Sequence, residues 1–520
     1  MTVYEGTIIT QNREKPAAKY LVAKGKKIDF VGDSLPKQYS DADIIKLGKK
    51  VLLPSFVDSH IHFASFALFN SGLNVNDARS NIEMLEMIKE FASDSKSKIL
   101  IMFGASPHCV KEKTLLTRKE LDTVTYDKPG AVIKYDGHAL IANTALINLI
   151  SDETKKMRGY NEISGEMGQE AFFAIIDMIS ASIPTLDLIR YMQEAVDVVA
   201  EKGIGMVHTV SGVGFPNDLD VTLESLFAKG VMCGFQSRVF FQTMDVKKVK
   251  KRKLPRIGGC FLTALDGCYG SKDAAMNKPY VSTKDKGVLF YDDNTVIDFC
   301  IEANRAGLQI ELHAIGDAAF DQAVLALSVA LNDSPRDNHR HCIIHACLPS
   351  KKSLALCKKH NILFTMQSAF LDWPQEPASY LKTIIGDRAD KLNPIRTISD
   401  LGLTISFSSD GPCTTPDPLK WIHNAVNNPI KSEQISAEQA LKMCTYNGYY
   451  TTFDEDQRGT LEQGKIADIV ILSDNPLTIN KKAIKDIEVE ELILKGRTYK
   501  RQPKSILSLL WGMIKNHNRS

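Results

Sequence analysis

The sequence predicts an α/β protein with a parallel β/α core and short β-strands at both chain ends. From about residue 51 to 450, apolar β-like runs such as GLQIELHAIG and HCIIHACL alternate with helical patterns. Continuous apolar strands separated by helices are typical of a parallel sheet that is covered on both faces. Outside this region, short strands such as TVYEGTIIT and GKIADIVIL are punctuated by glycine turns, which is typical of a small antiparallel unit.

Composition and charge are those of an ordinary globular chain. Of its 520 residues 44% are hydrophobic and 24% charged, and the net charge of +2 gives no reason to expect a nucleic-acid partner. The ten cysteines form no Cys-x-x-Cys pair, which favours reduced thiols in a cytoplasm. The N-terminus lacks a signal-peptide core, and no apolar run approaches the ~20 residues of a membrane span. We therefore expect a cytoplasmic protein without a membrane span.

The most informative stretch is VLLPSFVDSHIHF, in which an apolar run ends in His60 and His62. Residues i and i+2 of a β-strand point to the same side, so both imidazoles can reach one ion at the end of a buried strand. Imidazole suits zinc and related first-row metals. Two hydrogen-bonded histidines at a strand end would give the same pattern, so further ligands must decide.

Three later segments supply further ligands in order along the chain. GLQIELHAIGD ends a strand with His313, HCIIHACL carries His345 after an apolar stretch, and LTISFSSDGP ends a strand with Asp410. In a β/α barrel, functional residues lie at the carboxyl ends of the strands, where these side chains would meet. Together they predict a metal site rather than a set of isolated core histidines.

At this point the chain resembles the amidohydrolase superfamily, and more closely its amidohydrolase-3 branch, which includes N-substituted formamide deformylases. The resemblance rests on several segments that occur in the expected order: LPSFVDSHIHF, YDGHALIANTAL, LDGCYGSKDAAMNKPY, HAIGDAAFDQAV, SSDGPCTTPDPLKWIHNAV and GTLEQGKIADIVIL. It implies a distorted (β/α)8 TIM barrel beside a small β-sandwich built from both chain ends. We assign residues 1–54 and 451–503 to the sandwich, 55–450 to the barrel with an insertion at about 66–200, and 504–520 to an amphipathic tail.

The resemblance also implies a set of site residues. The predicted metal ligands are His60, His62, His313, His345 and Asp410. Asp410 is expected to move protons between a metal-activated water and the leaving nitrogen, and His345 to polarise the substrate. The predicted substrate-binding residues are His138, Lys134 and His208, the last because KGIGMVHTV reads as a strand that ends near it.

One departure from the family bears on the number of metal ions. Binuclear members commonly bridge two metals with a carboxylated lysine, expected four residues before the Asp266-Gly267 pair, where this chain has Leu262. Either the site holds one ion, or another side chain supplies the bridge. Lys134 is one option for that bridge, and weaker ones are Glu166, Glu170 and Cys260. We favour a single divalent ion, with zinc as the expected metal.

These observations predict a metal-dependent hydrolase of a non-peptide carbon–nitrogen bond in an N-acyl, N-formyl or cyclic amide. Two alternatives stay open: a relative that binds metal or ligand without catalysis, and a metal-dependent isomerase or C–O hydrolase on the same barrel. The apolar face of SILSLLWGMIK in the tail suggests a homodimer as one further expectation.

Overall fold

The chain folds around an eight-stranded parallel barrel flanked by two further sheets. The computed structural model describes residues 1–228 and 234–501. The predicted tail at 504–520 and Cys233 lie outside the described residues. The strands of the barrel are β5 (Phe56–Ile61), β11 (Ile204–Ser211), β12 (Gln236–Phe241), β13 (Arg256–Ala264), β14 (Gln309–Ala314), β15 (Cys342–His345), β16 (Leu363–Met366) and β17 (Ile405–Phe407). The predicted fold class, a distorted TIM barrel with a small sandwich, is confirmed.

The barrel closes between its first and last strands. Neighbouring strands pair in parallel in the order β17-β16-β15-β14-β13-β12-β11-β5. Closure occurs just beyond β17, where the Asp410 amide donates to the His60 carbonyl at 3.0 Å and the His62 amide donates to the Gly411 carbonyl at 2.8 Å. The backbone that completes the barrel therefore also brings the first and last predicted ligands together.

A seven-stranded sheet is built from both ends of the chain. Its order is β20-β19-β18-β4-β1-β2-β3, so strands from the C-terminal part pair directly with β4. Its strands are β1 (Thr2–Ile9), β2 (Ala17–Lys24), β3 (Lys27–Gly32), β4 (Asp43–Pro54), β18 (Ile469–Leu472), β19 (Val489–Leu494) and β20 (Arg497–Thr498). The domain boundaries assigned from the sequence stay predictions.

A third sheet lies between the first two barrel strands in the sequence. It contains β6 (Leu73–Asn74), β7 (Leu100–Ala105), β8 (Gly130–Lys134), β9 (Ala139–Ala142) and β10 (Glu166–Gly168), in the order β10-β9-β8-β7-β6. This sheet carries the segment with Lys134 and His138 and gives the inserted region its own packed structure.

Helices cover the barrel, and several begin at side chains that cap their free backbone N–H groups. Asp292 accepts from Thr295, Ser350 from Ser353, and Ser436 forms a capping box with Gln439. The helices are α1 (Phe63–Asn70), α2 (Asn81–Asp94), α3 (Arg118–Asp122), α4 (Thr144–Ile147), α5 (Gln169–Ala181), α6 (Thr185–Glu201), α7 (Leu219–Ala228), α8 (Val246–Lys251), α9 (Asp293–Arg305), α10 (Asp317–Asp333), α11 (Lys351–His360), α12 (Ala378–Ile385), α13 (Ile395–Asp400), α14 (Pro418–Val426), α15 (Ala437–Cys444) and α16 (Tyr446–Thr451).

A helix that crosses a bilayer must be both long and apolar. Among the described residues, no single helix is long and apolar enough to cross one, and α5 and α6 meet those criteria only as a pair bent by 103°.

Candidate metal centre

The predicted ligands meet at the carboxyl ends of four barrel strands. His60 lies near the end of β5, and His62 follows that strand directly. His313 lies on β14, His345 is the last residue of β15, and Asp410 follows β17. All five side chains are buried. Since neighbouring parallel strands end at the same face, strand order alone brings together side chains that are far apart in sequence.

Asp410 contacts both histidines of the opening motif. Its Oδ1 lies 3.2 Å from His60 Nε2 and 3.4 Å from His62 Nε2. Burial raises the pKa of Asp410, but hydrogen bonds from His60 and His62 outweigh burial and hold the pKa well below its usual value. The carboxyl group is therefore held as an anion, which suits both a metal ligand and a proton acceptor.

The histidine rings surround one small volume. The ring centroids of His60 and His62 are 5.3 Å apart, those of His60 and His345 are 5.8 Å apart, and those of His313 and His345 are 4.5 Å apart. All three pairs meet edge to face. The edges that carry the nitrogens can therefore converge on one point.

Several ring nitrogens of this cluster are buried without a protein partner. His60 Nδ1 and His313 Nδ1 have no hydrogen-bond partner among the described residues. An unsatisfied buried polar atom costs ~1–3 kcal/mol, so each needs a reason. His345 differs because its Nδ1 lies 2.7 Å from Gln367 Oε1, which leaves Nε2 for another partner.

The cluster has a member that the predicted set of ligands lacks. Cys260, on β13, is buried, and its Sγ lies 3.5 Å from His60 Nε2. Three groups have candidate ligand atoms within 4.8 Å of one another: His60, His62 and Cys260; Cys260, His313 and His345; His60, His345 and Asp410. Imidazole, thiolate and carboxylate are the donors that zinc prefers. The residues present therefore fit a divalent metal.

Leu262 stands at the position counted for a bridging lysine, but it is exposed rather than buried with the cluster. Leu262 is 52% exposed, and its carbonyl accepts a hydrogen bond from the Tyr291 hydroxyl at 2.9 Å. The pairing of β13 with β14 shifts register between Gly259 and Ala264, so counting back from the Asp-Gly pair crosses a bulge. The side chain that this strand directs into the cluster is Cys260.

Two of the ligand positions have unusual backbone geometry. His345 and Asp410 are in the left-handed region, with φ of 69° and 54°. Such conformations cost of order 1–3 kcal/mol for non-glycine residues and concentrate at active sites. The surrounding backbone bonds, such as that between Asp410 and His60, hold them in place.

Buried acidic side chains contact the predicted ligands or the residues next to them. Asp58, on the same strand as His60, accepts from the Ser409 amide at 2.9 Å and from its hydroxyl at 2.5 Å, directly before Asp410. Glu311 Oε2 lies 3.9 Å from His60 Nδ1. Asp266 accepts from the amides of Ile315 and Gly316 at 3.0 and 2.7 Å, just after His313. Sequence reasoning missed Asp58 and Glu311.

The predicted substrate-binding residues lie in two different parts of the structure. Lys134 forms a buried ion pair with Asp136 at 2.7 Å, and the His138 amide donates to Asp136 at 3.2 Å. The His138 ring lies 5.9 Å from the Phe261 ring, which lies 4.8 Å from the His62 ring, so His138 lies beside the cluster. Lys134 and His138 are therefore near neighbours on the inserted sheet, at one side of the centre.

His208 lies elsewhere. Strand β11 runs on to Ser211, so His208 is inside the strand rather than at its end, and its Nε2 lies 3.2 Å from Thr452 Oγ1. Burial and the charge of Arg256 lower the pKa of His208 to about 3, so it is neutral. The structure does not bring His208 to the cluster, and it is left out of the site proposed below.

Aromatic rings form two walls beside the cluster. The Phe261 ring lies 4.8 Å from the His62 ring and 5.9 Å from the His138 ring. On the other side, the Phe370 ring stacks on His345 at 6.0 Å and on Trp373 at 4.7 Å. Next to the second wall, Glu376 lies 3.3 Å from the Tyr135 hydroxyl, and burial raises the pKa of Glu376 to about 7.

Comparison with known proteins agrees with this arrangement. The family model "Amidohydrolase family" matches residues 43–499. The chain belongs to the amidohydrolase family. This assignment makes it a metal-dependent hydrolase that acts on carbon–nitrogen bonds.

Individual relatives of this amidohydrolase are distant but match over nearly the full length. It is 23% identical to the N-substituted formamide deformylase of Arthrobacter pascens over 540 aligned positions, covering 95% of this chain and 97% of the relative. It is 25% identical to the protein LONG AFTER FAR-RED 3 of Arabidopsis thaliana over 512 positions, covering 91% and 87%. An uncharacterized metal-dependent hydrolase from Pyrococcus horikoshii OT3 superposes with a TM-score of 0.75 at 22% identity, covering 92% of this chain and 99% of that one.

Proposed function

We propose that this amidohydrolase hydrolyses a non-peptide carbon–nitrogen bond in an N-acyl, N-formyl or cyclic amide, with zinc as its metal. The observation that carries the proposal is the convergence of His60, His62, His313, His345 and Asp410 at one barrel face. Hydrolysis of an amide needs a Lewis acid, a water nucleophile and a proton carrier, and these side chains are suited to provide them.

In this proposal each residue has a defined task. His60, His62, His313, His345 and Asp410 would hold the metal. Bound there, a divalent ion supplies an acidified water and polarises a carbonyl oxygen. Asp410 accepts the proton of the attacking water and donates it to the leaving nitrogen, because its carboxylate is anionic and held in place by His60 and His62. Gln367 binds His345 Nδ1, so His345 would hold the metal through Nε2 and would polarise the substrate carbonyl through that ion.

The walls of the site favour an amide with an apolar substituent. Phe261 and Phe370 flank His62 and His345, so a flat or aromatic group would lie between them. His138 and the Lys134–Asp136 pair offer polar contacts on the side of the inserted sheet. The name of the A. pascens relative, an N-substituted formamide deformylase, supports an N-substituted amide as the substrate class.

Location and assembly are secondary parts of the proposal. The nine described cysteines carry free thiols, which supports a reducing compartment such as the cytoplasm. The homodimer stays a prediction, and light scattering of the full chain tests it.

The proposal is tested by metal analysis and turnover of the purified full chain. We expect bound zinc and metal-dependent hydrolysis of amides from a panel of N-formyl, N-acyl and cyclic amides, with lactones and enol-type compounds as comparators. Asp410→Asn should lower kcat by about 10²–10⁴-fold, the usual contribution of a general acid–base. Asp417→Asn is the matched control, since Asp417 lies in the same segment but caps α14.

Different results would favour the other functions. Turnover of lactones or enol-type compounds without any amide would move the assignment to a C–O hydrolase or isomerase. Bound metal with no turnover on the whole panel would support a binding protein instead.

A further inference from the structure

Cys260 is the member of this cluster to which the proposed mechanism gives no role. Its side chain is 4% exposed, and its Sγ faces His60 Nε2 at 3.5 Å. It reaches this place because β13 is kinked immediately before it by Gly258 and Gly259, with φ of 102° and 129°. A Cβ at Gly258 would lie 2.0 Å from the Glu311 carbonyl oxygen, so the close approach of the strands requires glycine there.

The thiol is common to two of the candidate ligand groups. One group joins Cys260 with His60 and His62, and the other joins it with His313 and His345. In each group all candidate ligand atoms lie within 4.8 Å of one another. One sulfur atom therefore lies between two pairs of imidazoles that come from opposite sides of the barrel mouth.

Independent observations on the histidines agree with ligands on both sides. On one side, His60 and His62 share contacts with Asp410. On the other, His313 Nδ1 is buried without a hydrogen-bond partner among the described residues, and His345 has only its Nδ1 paired, to Gln367. Each pair of histidines thus keeps a donor atom for an ion of its own.

Charge favours an anion shared between the two sides. Two divalent ions with neutral imidazole ligands repel each other strongly in a buried site unless an anion lies between them. Within the three ligand groups, Asp410 and Cys260 are the side chains that form anions. A thiolate is a good zinc ligand and has lone pairs for two ions.

The other side chains considered for a bridge are engaged or distant. Lys134 pairs with Asp136 at 2.7 Å, Glu166 is exposed, and Glu170 accepts from Arg158 at 2.9 Å. Leu262 is 52% exposed.

We propose that Cys260 bridges two divalent ions at this centre as a thiolate. One ion lies with His60 and His62, and the second lies with His313 and His345. This inference rests on the metal centre proposed above and replaces the single ion favoured from the sequence with two.

The test measures metal content and the cobalt spectrum of the purified full chain. We expect two equivalents of zinc by elemental analysis. After replacement by Co²⁺, a thiolate-to-cobalt charge-transfer band should appear in the near ultraviolet, reading the bond without any mutation. Cys260→Ser should remove the band, and Cys260→Ala should lower the metal content to about one equivalent.

Cys342→Ser is the matched control. Cys342 is buried on β15, two strands from Cys260 in the barrel, and its Sγ contacts Thr365 Oγ1 at 3.1 Å rather than the cluster. The control should keep both equivalents and the band. Thermal unfolding of all variants separates loss of metal from loss of fold.

The outcomes separate this inference from the proposed function. Bound metal and amide turnover without a cobalt–thiolate band would overturn the bridge and leave the hydrolase intact. A band with only one equivalent in the wild type would make Cys260 a ligand of one ion and would also overturn the bridge. A chain that binds no metal would overturn both proposals.

Discussion

Two buried histidine clusters in this barrel differ in how their ring nitrogens are used. In the pair His339–His341, His341 Nδ1 accepts from the Ile310 amide at 3.0 Å and its Nε2 lies 3.0 Å from Asn304 Oδ1. His339 Nδ1 accepts from the His341 amide at 2.8 Å, and its Nε2 lies 2.7 Å from the His360 carbonyl. In the metal cluster, His60 Nδ1 and His313 Nδ1 have no partner among the described residues.

The difference shows what separates a structural histidine from a candidate ligand. Burial is the same in both places, and it lowers the pKa of His341 and of His313 well below the usual value. Satisfied nitrogens fix strand ends and loops, whereas nitrogens such as His60 Nε2 converge with a carboxylate and a thiol and are placed to bind an ion. Mutations in the two clusters should therefore have opposite signatures.

The largest contrast is expected between His60→Ala and His341→Ala. His60→Ala should remove bound metal and turnover, because His60 is a member of two of the three ligand groups. His341→Ala should keep metal and turnover but lose about 1–3 kcal/mol of unfolding free energy, because the Ile310 amide and Asn304 lose a buried partner. Elemental analysis, turnover and urea unfolding give the three readouts.

Loss of metal in both variants would contradict the division into a structural pair and a metal cluster. Treating the wild type with a chelator provides an internal reference. It should reproduce the metal-free state of His60→Ala and lower the Tm, because an ion that binds only the folded chain stabilises it.

The sequence predicted the positions of the cluster more reliably than its chemistry. His60, His62, His313, His345 and Asp410 were placed together because apolar runs mark parallel strands, whose carboxyl ends must meet. Strand ends were harder: KGIGMVHTV read as a strand ending near His208, but β11 continues to Ser211 and leaves His208 inside. The sequence carries no signal that hydrogen bonds occupy both ring nitrogens of a histidine, as they do at His341.

Cys260 was undervalued for a specific physical reason. The count of four residues back from Asp266 assumed a regular strand, and the bulge after Gly259 breaks that count. The adjacent glycines Gly258 and Gly259 were the available signal, since glycines inside a strand often mark a bulge or a close approach of backbones. These glycines would have indicated Cys260, rather than Leu262, as the residue of this strand that reaches the cluster.

An intermediate effect is expected from Glu311→Gln, which acts on the metal cluster only through His60. Glu311 is buried, and its Oε2 lies 3.9 Å from His60 Nδ1, on the side of the ring away from Asp410. Replacing this buried acidic group, whose pKa burial raises, with a neutral amide should weaken metal affinity by about 10–100-fold, the usual size for a group behind a ligand. Competition with a chelator measures the affinity.

Stability separates this positioning role from a general packing role. Glu311→Gln keeps the volume of the side chain, so the metal-free variant should unfold close to the metal-free wild type. An unchanged metal affinity would show that His60 does not depend on Glu311.

The smallest effect is expected at a buried acidic group, Glu224 with Asp220, which also has unpaired atoms. Among the described residues, Glu224 Oε1 and Asp220 Oδ1 lack hydrogen-bond partners, while Glu224 Oε2 accepts from the Ser211 hydroxyl. Neither residue belongs to a metal-ligand group among the described residues. An unpaired buried atom is therefore not enough for a metal site unless other donor atoms converge with it. Burial, and then the neighbouring Asp220, raise the pKa of Glu224 to about 8, and burial raises that of Asp220 to about 6. Protonation of Glu224 is therefore how the fold accommodates this pair near neutral pH.

The sign of the pH effect follows from that raised pKa. Between the usual glutamate pKa of about 4.3 and the folded value of about 8, the folded chain binds a proton that the unfolded chain lacks, so stability falls as pH rises. Glu224→Gln cannot ionise, so it should match the wild type at pH about 5 and exceed it at pH about 8, by ~1 kcal/mol or more. Urea unfolding at both pH values measures this difference, and metal content should not change. A variant that is equally destabilised at both pH values would show that the surroundings hold Glu224 as a carboxylate. The contrast with the metal cluster would then rest on the histidine nitrogens alone.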